Sequence, residues 1–160
     1  MTYKIIEFKD DSNPNATWST IVKNSNSSWY FSNYTHNHFH TEYSREKNVL
    51  TKNKSFFIYK GITPVALAVL IFIKDPDSNL LQASYYSEPL PWPIISDNCD
   101  DRNAVYEIIF NEIDKRISLF SVSKINFVLN TIEYSAKIES EFYEILKKNN
   151  MIDKSFYSHL

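Results

Sequence analysis

The sequence predicts an α/β (α+β) fold in three layers: a mixed, mostly antiparallel central sheet with helices on both faces. Three observations lead there. Residues 64–74 (PVALAVLIFIK) are an almost unbroken apolar run, the pattern of a strand buried on both faces, which needs a cover on each side. Turn signals separate this run from strand-like segments before and after it, so three consecutive strands fold antiparallel. Residues 101–120 carry Val105, Ile108, Ile109, Ile113, Ile117 and Phe120 at three- and four-residue spacing, the apolar stripe of a long helix.

Residues 3–8 (YKIIEF) are short and β-prone and make a first strand. Ser12-Asn13-Pro14 places a capping side chain before a proline at the first helical position, and opens a helix over Pro14–Lys23 with Trp18, Ile21 and Val22 at helical spacing. After a polar break at 24–28, a second helix is predicted from Asn33 to about Lys47. Trp29, Tyr30, Phe31, Tyr34, Phe39 and Tyr43 supply its aromatic side and approach. Residues 56–59 are a strand, and Lys60-Gly61 a turn, because Gly61 takes positive φ without strain. The apolar strand 64–74 follows, then the turn Asp75-Pro76-Asp77-Ser78-Asn79, then a strand over 80–87. A loop with Pro89, Pro91, Trp92 and Pro93 turns acidic at Asp97, Asp100 and Asp101 and leads into the helix 101–120. Asp100 and Asp101 suit the positive end of its dipole, and Lys115 and Arg116 stand nearer the other end. Residues 124–130 read as a strand and 139–149 as a helix with Phe142, Ile145 and Leu146 inward. Residues 151–160 restart an extended pattern.

Composition narrows the function. The 160 residues are 43% hydrophobic and 16% aromatic, enough for one globular domain with a core. A net charge of −2 leaves no basic excess to hold nucleic acid. Residues 1–11 lack the apolar stretch of a signal peptide, and the run 65–73 is far short of the roughly 20 residues of a membrane helix. The lone Cys99 excludes an intrachain disulfide and fits a reducing, cytoplasmic setting. With Gly61 the only glycine, a glycine-rich phosphate cradle is impossible.

The element order resembles the GNAT (Gcn5-related N-acetyltransferase) fold across nearly the whole chain. More narrowly, the chain resembles the first, N-terminal lobe of FemAB-like acyl- and aminoacyl-transferases, which join two GNAT-type lobes in one chain. SSWYFSNY at 27–34, FFIYKGITPVALAVLIF at 56–72, SEPLPWPII at 87–95 and FYEILKKNNMIDKSFYSHL at 142–160 carry the narrower resemblance. A working GNAT lobe has an R/Q-x-x-G-x-G/A loop after its fourth strand, whose backbone N–H groups cradle the coenzyme A pyrophosphate. Here 87–103 stands in that place, with no glycine, three aspartates and Arg102 as the one cation. The resemblance therefore implies that no cofactor is bound by this chain alone, and that the acyl donor is held by a second lobe. The last two strands of a lobe are expected to be incomplete, with 155–160 approaching the first of them. A truncated product, an excised domain and a short protein keeping half the architecture all fit.

The candidate chemistry lies in two places. In His36-x-His38-x-His40, a strand would put all three imidazoles on one face, but the flanks favour a helix, which puts His36 and His40 together and His38 elsewhere. With Glu42 nearby the pair makes a partial metal site, or simply a polar helix face; no metal-ligand set is assigned, and His36 and His40 are read as substrate contacts. The second place is the end of the strand 80–87. Acyl transfer to an amine needs a proton acceptor, and Glu88 is the leading candidate base, with Tyr85 beside it. Tyr86 and Trp92 are read as substrate contacts, Trp92 alternatively as an edge of the core. Cys99 sits among carboxylates, a setting unfavourable to a nucleophilic thiolate. Lys52 and Lys54, like Lys147 and Lys148, read as solvated charges.

Two classes of function follow. In the first, the chain is the acceptor-side lobe of a FemAB-like N-acyltransferase acting on an amine of a cell-envelope peptide or sugar, a small-molecule or peptide acceptor, and it needs a second GNAT-type lobe. In the second, it is a non-catalytic GNAT-like module that binds a partner, with a homo-oligomer as one form of that. A conventional one-lobe acetyltransferase is the third and weakest reading.

Overall fold

The computed structural model describes residues 2–128, except 27, 29–31, 50, 76 and 87, together with residues 144, 147 and 148. The elements are β1 (Tyr3–Glu7), α1 (Pro14–Lys23), α2 (Tyr34–Glu46), β2 (Thr51–Asn53), β3 (Phe56–Lys60), β4 (Thr63–Ala68), β5 (Ile71–Lys74), β6 (Leu81–Ala83), β7 (Leu90–Pro91), β8 (Ile94–Ile95), α3 (Arg102–Phe120), β9 (Lys124–Ile125) and β10 (Phe127–Val128). One sheet has the order β1-β3-β4-β8 and a second the order β2-β5-β6-β9, while β7 pairs with β10. The pairings are antiparallel except β6 with β9 and β7 with β10. The fold is therefore mixed and mostly antiparallel, as the sequence predicts.

The three layers follow from side-chain alternation. Along β3 and β4, Phe57 and Leu67 point to the side where Trp18 and Ile21 of α1 pack. Phe56, Ile58, Ala66 and Ala68 point to the other side, onto Val105, Tyr106, Ile109, Phe110 and Ile113 of α3. Residues 65–73 are buried throughout, so the apolar run is the two-sided centre of the sheet. Asn13 caps α1, with proline next in line, and Asn33 and Asp101 cap α2 and α3.

Several expectations need correction. The run 64–74 is not one ladder but two, β4 and β5. Between them the Leu70 N–H donates to the Ser55 hydroxyl (3.0 Å) instead of to a strand carbonyl, so a side chain replaces one rung. The strand expected over 80–87 ends at Ala83, and the chain rejoins the sheet only at β7 and β8. The proline-rich stretch is consequently the far half of that strand, with residues 90–96 all buried, and not a surface loop. β2 was not anticipated, and Lys52 and Lys54 on and beside it are not simply solvated: their ammonium groups lie 5.7 and 4.6 Å from the Phe120 ring centroid. Arg116 is buried rather than a surface complement to the helix dipole. Its Nε donates to Glu112 (2.6 Å), its Nη1 to the Lys54 carbonyl (2.7 Å), and its guanidinium lies 4.6 Å from the Phe56 ring.

Trp29, Tyr30, Phe31, most of the helix expected at 139–149 and the segment 151–160 lie outside the described residues; Glu144, Lys147 and Lys148 are helical. No described helix is long and apolar enough to cross a membrane.

With so few glycines, left-handed turns fall to other residues. Besides Gly61 (φ 65°), Asn48, Asn79 and Ser121 have φ of 55°, 60° and 52°. Ser121 ends α3, and its N–H and that of Val122 return to Ile117 O. An L side chain there carries strain of about 1–2 kcal/mol, partly offset by the unfolded-state entropy glycine would add. Ser121→Gly is expected to stabilise the protein by about 0.5–1 kcal/mol in urea unfolding, and Ser121→Val to destabilise it.

Candidate functional site

Helical spacing on α2 turns His36, Asn37, His40 and Ser44 inward and leaves His38 and Phe39 exposed. The His38 ring stacks on Tyr34, away from the other two imidazoles. The facing wall is the excursion 84–89 that interrupts the third strand. It is pinned by its own hydrogen bonds: the Tyr85 N–H donates to Glu88 O (2.9 Å), and the Ser84 hydroxyl reaches Tyr85 O (2.8 Å) and Glu88 O (2.9 Å). The sheet resumes where the Leu90 N–H donates to Asn126 O (2.8 Å). The detour turns Tyr85 inward and brings Glu88 over α2.

The result is a compact cluster. Glu88 Oε2 stands 3.4 Å from His36 Nε2 and 3.4 Å from His40 Nε2. The two imidazole centroids are 4.3 Å apart. Tyr85 stacks on His40 (4.8 Å, 24° between planes) and meets His36 edge-on (5.7 Å, 77°). Its hydroxyl donates to Asn37 Oδ1 (3.1 Å). His36, His40, Asn37 and Tyr85 are buried, whereas the Glu88 side chain keeps 37% of its surface exposed, although its Oε2, facing the rings, is buried. Tyr86 is on the exposed rim, with its ring 6.0 Å from Tyr43.

Burial lowers the His36 pKa against the opposing pull of Glu88. It lowers that of His40 too, with His36 adding to the effect and Glu88 opposing it. Both rings are thus neutral near pH 7. Burial, helped by Glu88, pushes the Tyr85 phenol far up. Tyr85 is therefore a neutral phenol whose hydroxyl donates to Asn37. Trp92 is buried, edge-on to Phe127 at 5.6 Å, and belongs to the core on the α3 side, which is the second of its two expected places. Glu42 pairs with Arg45 instead of joining the histidines.

Asn37, the partner of the Tyr85 hydroxyl, and the meeting of Glu88 with His36 and His40 were missed by sequence reasoning. The usable signal was H-x-x-x-H on a helix face shared with the small polar Asn37 and Ser44. Nothing local names a carboxylate some fifty positions away.

The loop before α3 has a different character. The Asp97 N–H donates to Asn24 O (2.8 Å), and the Asp97 carboxylate accepts from the Asn26 N–H (2.9 Å), tying the loop to the end of α1. The Asn98 N–H turns to Ser96 Oγ (3.4 Å) and the Cys99 N–H to Ser96 O (3.0 Å). Asp101 accepts from the Ala104 N–H through its side chain and the Val105 N–H through its carbonyl. Asp100 pairs with Lys60 (2.8 Å), and this contact lowers the pKa of Asp100 and raises that of Lys60. Arg102 folds back toward Ile95 O (3.3 Å) and the Tyr106 hydroxyl (3.5 Å).

No protein-family model matches the chain, and no curated protein matches it. Among solved structures it is similar to the crystal structure of ribosomal-protein-alanine N-acetyltransferase from Brucella melitensis biovar Abortus 2308. The TM-score is 0.53 at 7% identity, over 99% of this chain and 96% of that one. At that identity the likeness shows the fold alone: the chain has the GNAT-type fold that its element order predicts.

Tyr85→Phe keeps the ring stacking and deletes only the buried donor to Asn37. It is expected to cost about 1–2 kcal/mol, read as a lower urea midpoint at unchanged m value.

Proposed function

We propose that this chain is the acceptor-side, GNAT-type lobe of an N-acyltransferase of the FemAB-like kind, and that it does not hold acyl-CoA by itself. The observation that carries the reading is the occupied loop before α3. The backbone N–H groups of Asp97, Asn98 and Cys99, and of Ala104 and Val105 in the first turn, are spent inside the chain. Asp97, Asp100 and Asp101 add negative charge where a pyrophosphate would sit. Each carboxylate–phosphate approach to 4 Å costs about 1 kcal/mol in water and roughly 4 near a protein surface. Arg102, the nearest cation in sequence, is turned toward the strand carbonyls.

In this reading a second lobe, in the same gene or as a partner, supplies the acyl donor. The acceptor is an amine of a cell-envelope peptide or sugar. N-acylation of an amine is also the chemistry in the structural neighbour's name. Glu88, partly exposed beside Tyr86, is the group that takes the amine proton. The filled loop equally favours the second reading, a non-catalytic GNAT-like binding module.

Calorimetric titration with acetyl-CoA tests the shared premise: no saturable heat is expected at about 100 µM chain. Micromolar binding that Arg102→Ala abolishes would sink both readings and restore a one-lobe acetyltransferase. With the second lobe supplied, Glu88→Gln is expected to slow amine acylation roughly 100-fold. If the assembled lobes acylate no amine, the binding module is the reading that stands.

A further inference from the structure

We propose that His36, His40 and Glu88 form a binding site for a divalent transition-metal ion of the zinc type, joining α2 to the excursion 84–89. The distances are the first argument. Both Nε2 atoms stand 3.4 Å from a single Glu88 oxygen. A charge-assisted hydrogen bond closes to about 2.7–2.9 Å. Ligands held about 2.0–2.1 Å from a tetrahedral zinc, by contrast, stand roughly 3.3 Å apart along each edge. The three ligand atoms lie within 4.8 Å of one another, so the longest remaining edge closes by a small rotation of two rings already 4.3 Å apart at their centroids.

The donor set is the second argument. Two imidazoles and one carboxylate are a set that zinc uses with its fourth position left to water. Histidines four apart on a helix aim at one point, and a carboxylate from another element completes the triangle. Calcium and magnesium, which prefer shells of oxygen, are poorly served here.

Preorganisation is the third. Tyr85 stacks on His40, stands edge-on to His36, and is itself tied to Asn37. The rings are thus held from behind before any ion arrives. His40 Nδ1 is buried with no hydrogen-bond partner among the described residues, so this ring meets its polar surroundings through Nε2. Glu88 arrives on a loop closed by Ser84 and Tyr85; its Oε2 is buried against the imidazoles, while the side chain as a whole keeps 37% of its surface exposed.

The inference goes beyond the acyl-transfer reading and does not rest on it. An occupied site takes the Glu88 carboxylate as a ligand, so the loaded form is one in which Glu88 is not a free base.

The test is zinc binding by the full chain after chelator treatment. Calorimetry with zinc chloride is expected to show one site, and Tm to rise by roughly 5–10 °C at a hundredfold excess over Kd. Calcium and magnesium chloride should give no shift. His40→Gln and Glu88→Gln are each expected to weaken zinc roughly tenfold or more, while His38→Gln leaves it unchanged. His40 is buried and its replacement can unfold the chain; Glu88→Gln alters a partly exposed residue, and circular dichroism verifies its fold, so it carries the test by itself. Absence of saturable zinc binding overturns the proposal. So does binding that survives Glu88→Gln unchanged, or binding that His38→Gln removes.

Discussion

Residues 65–73 are buried without exception, and a strand buried on both faces exists only between two layers. Each Val, Leu, Ile or Phe side chain covered in this way contributes about 1.5–3 kcal/mol. Uncovering one face would expose a handful of them, about as much as the 5–15 kcal/mol that holds a typical domain together. α1 on one side and α3 on the other are therefore required by the strand. The alternation of Phe57 and Leu67 against Phe56, Ile58, Ala66 and Ala68 assigns each helix its surface. Ser55 and Arg116 serve the same constraint. One repairs the ladder where the two sheets meet, and the other satisfies the Lys54 carbonyl beside that break.

The third strand meets this constraint less simply. Proline has no N–H to donate, and Pro89, Pro91 and Pro93 alternate with Leu90 and Trp92. The strand can pair through only some of its positions: Leu90 donates to Asn126, and β8 joins β4. Between Ala83 and Leu90 the chain leaves the ladder, and Ser84 and the Tyr85 N–H satisfy the carbonyls that would otherwise lose partners. That detour, imposed by strand chemistry, is what lifts Glu88 onto the helix carrying His36 and His40.

Much of the fold was legible because its signals are local. Asn13-Pro14 marks the start of α1, the apolar stripe marks α3, and Asp75 to Asn79 mark a turn in which the Asn79 N–H does return to Asp75 O. What was not legible depends on pairing across distance. A strand of 64–74 reads as continuous because composition records burial but not the break at Leu70, where the run passes from one sheet to the other. Arg116 reads as a dipole complement because nothing near it reveals the Lys54 carbonyl; only Glu112, one turn back on the same helix, was within local reach. The site divides in the same way. Helical spacing joins His36 with His40 and sets His38 apart, as observed, but Glu42 was the natural partner by proximity. Only the detour of a strand across the sheet replaces it with Glu88.

The segment from α1 to α2 touches both polar regions at once. Asn24 and Asn26 clamp Ser96 and Asp97 before α3, and α2 closes on the excursion that carries Glu88. At the first contact the chain spends polar groups on itself: the N–H groups of Asp97, Asn98, Cys99, Ala104 and Val105, the three aspartates and Arg102 find partners within the loop and its neighbours. At the second it gathers two neutral imidazoles and a carboxylate at distances too long for strong hydrogen bonds. His40 also keeps its buried Nδ1 without a hydrogen-bond partner among the described residues, which costs about 1–3 kcal/mol. Both Nε2 atoms face the same Glu88 oxygen, so an ion or a substrate amine placed there would be met by all three groups. That asymmetry is why the proposals for this GNAT-type chain centre on α2 and the excursion, and not on the helix N-terminus to which the position in the fold alone would point.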